Sequence, residues 1–111
     1  MRSIRILGAL ILFLAFVVPA YANDQDGADL FKVKCTSCHG DDGKGTAAGK
    51  KLGVPVLSDD AIQDLSDKIL RGAVANGKHR MPAFGAELSQ DQIVDVVIHV
   101  RSFWTPKVAA K

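Results

Sequence analysis

The sequence predicts a small all-α domain of three to four helices, and three observations carry that expectation. Apolar or small residues recur at helical spacing in three separate stretches, beginning at Gly27, Ile62 and Ile93. The β-branched run of the last stretch lacks the strict alternation of a strand, and its length favours helix. The first stretch runs directly into Cys35-Thr36-Ser37-Cys38-His39, two thiols three residues apart followed at once by an imidazole. That spacing reads as a c-type haem attachment site. Each thiol can add to one haem vinyl group, giving two thioethers, and the adjacent His39 is carried to the iron as its proximal ligand. The predicted architecture is therefore helices packed around one covalently bound haem.

Other readings of the pair fit less well. A structural zinc site needs four ligands, whereas the chain has two cysteines and three histidines, and His79 and His99 stand at no zinc-template spacing. A thioredoxin-like pair sits in a βαβ pattern, which is not found around Cys35 and Cys38. A plain disulfide would close a very short loop and leave His39 without a role.

Residues 1–22 read as a secretory signal peptide outside the fold. Arg2 and Arg5 form a positive start, and Ile6 to Val18 is almost unbroken apolar sequence. Pro19-Ala20-Tyr21-Ala22 places small residues three and one before a cut after Ala22. The apolar run falls short of the ~20 residues of a spanning helix; retention as an anchor is the alternative. The remaining 89 residues, 23–111, form one domain and carry 12 basic and 12 acidic side chains. Such balance gives no clustered basic face for nucleic acid. A chain this short buries only about two-thirds of its unfolded surface, and a cofactor commonly completes such a core.

Along that domain, Asp24 or Asp26 offers an N-cap, and Gly27, Leu30, Phe31 and Cys35 share one face of a first helix running from about Asp26 into the cysteine motif. Gly40, Gly43, Gly45 and Gly49 then argue for an irregular loop over 40–53, wrapping an edge of the haem. Asp41 and Asp42 lack the acidic alternation and closing Glu of a calcium loop. Ser58-Asp59-Asp60 caps a further helical segment with Ile62, Leu65, Ile69 and Leu70 on its stripe, ending at Asn76-Gly77. The final helix opens on a Ser89/Gln92 capping box and carries Ile93, Val96, Val97, Val100, Phe103 and Trp104 before Pro106.

A haem iron held by His39 has a sixth position, and Met81 is the candidate for it. It stands in Arg80-Met81-Pro82-Ala83-Phe84, between two predicted helices, with Pro82 stiffening the chain beside it. The only other methionine is Met1, which leaves with the signal. A thioether is a soft ligand that raises the potential. His79 and His99 are the rivals, and Met81 as a mere core filler is the plain alternative.

These features together resemble a class I cytochrome c of the small, c6-like group. The resemblance rests on Gly27 to Phe31, Cys35 to Gly40, Gly53 to Leu57, Asn76 to Phe84, and Leu88-Ser89 through Phe103. It implies first and last helices that cross at Gly27, where the family commonly packs an aromatic residue; His99 occupies the matching position here. It also implies that the carbonyl of Pro55 accepts a hydrogen bond from the proximal His39, and that Leu52, Leu57 and Phe84 wall the pocket. In the family, covalent haem attachment takes place outside the cytoplasm, which agrees with a signal peptide and a periplasmic or otherwise exported protein.

The functional expectation is a monomeric one-electron carrier, not an enzyme, cycling Fe(III) and Fe(II) between redox protein partners such as a membrane oxidoreductase, a terminal oxidase or a periplasmic dehydrogenase. Lys44, Lys50, Lys51, Lys78 and Arg80 flank the loops expected near the haem edge and predict a modest basic docking surface; an ordinary solvated mixture of charge is the alternative. Two other functions stay open: a haem subunit of a larger periplasmic oxidoreductase, and an open-site haem protein that binds small gases or peroxide.

Overall fold

The computed structural model describes residues 12–16 and 24–106. Residues 12–16 are exposed and belong to no helix. The rest of the expected signal peptide 1–22, including the cut after Ala22, lies outside the described residues. Among the described residues there are six helices: α1 (Asp24–Lys34), α2 (Thr36–His39), α3 (Ala47–Lys51), α4 (Asp60–Gln63), α5 (Asp67–Asn76) and α6 (Gln90–Ser102). The three long ones are α1, α5 and α6, each within a stretch where helical periodicity was legible; the others are one-turn pieces.

Two of the short pieces depart from the expected layout. The glycine-rich stretch 40–53 is not wholly irregular: it holds α3, whose N-cap Thr46 accepts the Gly49 N–H at 3.0 Å and donates its hydroxyl to the Ser37 carbonyl at 2.7 Å. That one side chain both starts a helical turn and pins it to the cysteine motif. The segment expected to run unbroken from Ser58 to Asn76 is divided at residues 64–66. Ser66 adopts extended backbone and its hydroxyl accepts the Ile69 N–H at 3.2 Å, which starts α5 afresh.

The break exposes carbonyls that α6 satisfies. Arg101 donates to the carbonyls of Gln63 and Leu65, both at 2.6 Å, and to Asp67 Oδ1 from Nε at 3.1 Å and from Nη2 at 2.8 Å. Gln63 Nε2 in turn donates to the carbonyls of Leu57 (2.8 Å) and Val100 (3.0 Å). A guanidinium fork matches several acceptors held at one corner in a way that an ammonium cannot.

Helix α6 begins with the expected capping box: Ser89 Oγ accepts the Gln92 N–H at 3.1 Å, and Gln92 Oε1 accepts the Ser89 N–H at 2.9 Å. Ile93, Val96, Val97 and Val100 are buried. Trp104 lies past the helix end and is 48 % exposed, so it leaves the stripe to which its spacing assigned it. Phe103 stays, with its ring 5.4 Å from that of Phe31.

Helices α1 and α6 cross at Gly27, which is buried. A Cβ there would collide with the carbonyl oxygen of Asp95 and come within 3.2 Å of His99 Cβ. The imidazole of His99 fills the place expected of an aromatic ring, lying 5.0 Å from both Phe31 and Phe103. The crossing is tight despite the substitution. Gly27→Ala should therefore cost on the order of 3 kcal/mol, the upper part of the range for overpacked cores, because a helix backbone cannot rotate aside as a side chain can. A urea midpoint equal to that of the parent protein would show that the two helices separate freely.

Most of the buried apolar residues fall in two clusters. One holds Phe31, Cys35, Leu57 and Val100, with Ile62 and Phe103 against it. The other holds Val74, Leu88, Ile93 and Val96, with Leu30, Ala75, Met81 and Phe84 against it. Both contribute walls to the same cavity.

Candidate functional site

That cavity has a volume of about 660 Å³ and opens in part to solvent, within the ~300–1,000 Å³ typical of small-molecule and cofactor sites. Every residue expected at the site lines it: Cys35, Cys38, His39, Leu52, Pro55, Leu57, Met81 and Phe84. Of the rival histidines, His79 lines it and His99 does not. The wall contributed by α4, α5 and the break between them, including Ile62, Leu65, Ile69, Gly72 and Ala73, was not singled out from the sequence. A signal existed: Leu70 and Val74 are buried in α5, whereas Leu65 and Ile69 lie off that face, so the segment has more apolar residues than one core face needs.

The cysteine motif is presented by local backbone bonds. The Cys35 N–H continues α1 by donating to the Phe31 carbonyl at 2.8 Å, and the His39 N–H donates to the Cys35 carbonyl at 3.0 Å. One helical turn therefore carries both thiols and the imidazole. The Gly45 N–H closes the loop onto the motif through the His39 carbonyl at 2.7 Å, and the Thr46 N–H does so through that of Cys38 at 3.0 Å.

Both cysteines are free thiols, Cys35 buried and Cys38 half-buried. Burial pushes the Cys35 thiol up to about 11, so it is protonated at neutral pH. Cys35 and Cys38 would hold a haem through thioethers, each S–H adding across a vinyl group with no oxidant consumed. Burial lowers the His39 pKa, which keeps the ring neutral at neutral pH with a lone pair for a metal. His39 Nδ1 is buried and has no hydrogen-bond partner. The expected bond to the Pro55 carbonyl is thus not formed here, although Pro55 lies in the same cavity wall. A buried ring nitrogen without a partner is costly, and Pro55 is the acceptor expected to satisfy it.

Opposite chemistry is supplied by the loop between α5 and α6. Gly77 ends α5 at φ 75°, and a side chain there would press within 2.6 Å of the Met81 carbonyl oxygen. This left-handed position is one that glycine takes without strain. Lys78 and Met81 then exchange backbone bonds of 3.2 and 2.9 Å around a tight turn, with His79 at φ 53° in its middle. The Phe84 and Gly85 N–H groups donate to the Val74 and Ala75 carbonyls at 2.9 and 3.0 Å. The loop is thereby fastened to α5 on both sides of Met81, which is half-buried and packed on the second core cluster.

The residues fit a haem. The lining is chiefly apolar, and Leu52 and Ile69, 42 % and 52 % exposed, are large apolar side chains that a bound ring would cover. The donor set is an imidazole and a thioether, the pair that holds iron in electron-transferring cytochromes c. Among the described residues no group of three or more His, Cys, Asp or Glu could hold a metal ion unaided.

Comparison with known proteins agrees with this geometry. Residues 22–100 match the family described as cytochrome c oxidase, cbb3-type, subunit III. The cytochrome c6 of Gloeothece citriformis is 40 % identical over 94 residues, spanning 83 % of this chain and 84 % of that protein. The cytochrome c6 of Euglena gracilis is 39 % identical over 79 residues, spanning 67 % and 85 %. Among solved structures, the KustC0563 c-type cytochrome superposes with a TM-score of 0.68 at 30 % identity, over 72 % of this chain and 99 % of that one. Cytochrome c6 from the diatom Phaeodactylum tricornutum gives 0.59 at 27 % identity, over 72 % and 92 %. A helical fold among the described residues, a CxxCH turn and a methionine loop lining one apolar cavity, and these relatives lead to one conclusion: the chain belongs to the class I c-type cytochromes, haem electron carriers, in their cytochrome c6-like group.

Proposed function

We propose that this protein is a one-electron carrier of an exported respiratory or photosynthetic chain, with a single haem c held by thioethers at Cys35 and Cys38. When bound, the haem supplies an iron that cycles between Fe(III) and Fe(II). His39 and Met81 would hold that iron. The observation that carries the reading is that these two side chains and both thiols line one apolar cavity. Two ligands from walls held by separate elements would leave no open position on the iron, which suits electron transfer over binding of O₂. His39 and Met81 each sit in a segment fastened by backbone hydrogen bonds, so little has to move when the charge changes.

The partners are redox proteins reached after export, with the signal cut after Ala22. Lys44, Lys50, Lys51, Lys78 and Arg80 are exposed, and Lys78 and Arg80 stand at the cavity itself. They form the basic docking surface for an acidic partner. Electron-transfer rates should then fall as ionic strength rises, and stopped-flow rates that ignore salt would remove this surface from the account.

The primary test is the absorbance spectrum of the matured protein, oxidised and reduced, with and without carbon monoxide. A low-spin ferrous spectrum that ignores carbon monoxide is expected; ready binding would point instead to an open site for gases or peroxide. One observation favours a second reading, a haem subunit of a larger exported oxidoreductase: the matched family takes its description from an oxidase subunit. Its test is purification from native membranes and soluble extract, where constant stoichiometry with a large partner would favour it. Among the described residues no helix is long and apolar enough to cross a membrane.

A further inference from the structure

Helix α5 lines the cavity with Ile69, Gly72, Ala73 and Asn76, at positions i, i+3, i+4 and i+7, and with the buried Leu70 and Val74 beside them. Glycine in a helix interior weakens the helix more than any residue except proline, so Gly72 calls for a local reason. Its φ is not in the left-handed region, so backbone conformation does not supply one. Nor does crowding by protein. At Gly27 a side chain would strike another helix, but a Cβ at Gly72 would meet nothing within 4 Å beyond its chain neighbours and its own helix backbone. The empty space beside Gly72 belongs to the cavity. Ile69, one turn earlier on the same face, is an apolar side chain left 52 % exposed.

We infer that Gly72 is a positioning residue for the haem: the gap over its Cα is taken by the macrocycle, so that the α5 backbone itself touches the ring and sets how deep it sits. The inference rests on the haem reading above and adds to it the point of closest approach on the α5 side. A methyl group at position 72 would then press on the ring and move it away from α5, altering its burial and the field around the iron.

Two measurements on the haem-loaded protein test this. In the ferrous wild-type protein, the Gly72 Hα resonances should be displaced by the ring current well outside the range of helical glycines. Gly72→Ala should lower the thermal midpoint by several degrees and shift the reduction potential. If the gap is only solvent, the substitution instead gains helix propensity. The midpoint then rises by roughly 4–8 °C, the potential stays put and the Gly72 protons resonate normally; that result overturns the inference. Should the variant fail to accumulate, the wild-type resonances decide alone. A wild-type protein that matures without haem would bring down the haem reading itself, a separate failure visible before any variant is made.

Discussion

Replacing both cysteines, Cys35→Ala with Cys38→Ala, is expected to abolish the folded protein together with its covalent haem. The reason lies in where the cavity is. Both apolar clusters contribute walls to about 660 Å³ of space. At about 24 cal/mol per Å³ of cavity, leaving that volume empty would cost roughly 16 kcal/mol. Water entering through the open side reduces this figure. A domain of this size has only about 4–13 kcal/mol of stability in all, so even half the penalty is comparable to the whole of it. The two single variants should differ. Cys35 is buried beside Phe31, Leu57 and Val100 and loses packing as well as a thioether; Cys38 is only half-buried. Cys35→Ala should thus accumulate less than Cys38→Ala. Haem staining after denaturing electrophoresis, with circular dichroism of whatever soluble protein remains, checks both claims. A stained band surviving in the double variant would overturn the attachment site, and a helical spectrum from a colourless double variant would overturn the dependence of the fold on haem.

Much of this was legible from the sequence, for reasons that differ by element. The thiol pair and His39 were readable because their chemistry requires fixed spacing along the chain, and one turn of helix preserves that spacing in space. The α6 stripe and its capping box were readable because both are set by residues three or four apart. The break between α4 and α5 was not. It depends on Arg101, which lies 34 to 38 residues from the groups it bonds, and no local pattern announces such a partner. α3 was hidden by glycines whose density signals a loop, although Thr46 is an ordinary cap. Trp104 follows the arithmetic of the stripe but stands beyond the point where the helix ends, so its spacing no longer fixes its direction. The α5 wall of the cavity was missed because periodicity reports that a helix face is apolar without reporting whether protein or cofactor covers it.

Met81→Ala is expected to leave the haem attached while opening the sixth position. The attachment lies on α2 and its N-cap Cys35 and draws nothing from the loop after α5, so covalent loading should persist. The loop should also keep its course, because Lys78 and Met81 bond through their backbones and the Phe84 and Gly85 N–H groups bond to α5; none of these contacts needs the thioether. What is lost is a soft ligand that favours ferrous iron. The reduction potential should fall by a tenth of a volt or more, on the order of a modest share of the roughly 0.8 V that axial ligation spans. The ferrous variant should bind carbon monoxide where the parent does not. His79 complicates the outcome in a useful way. It is exposed, lines the cavity and sits at φ 53° in the turn beside Met81, so it is the nearest imidazole able to replace the thioether. Met81→Ala combined with His79→Ala separates the cases. If the single variant resists carbon monoxide and the double variant binds it, His79 has taken the vacant position. If both bind it, the site is open as soon as Met81 is gone. If neither does and the potential stays at the wild-type value, Met81 was never the ligand, and the closed coordination on which the carrier reading depends must come from elsewhere.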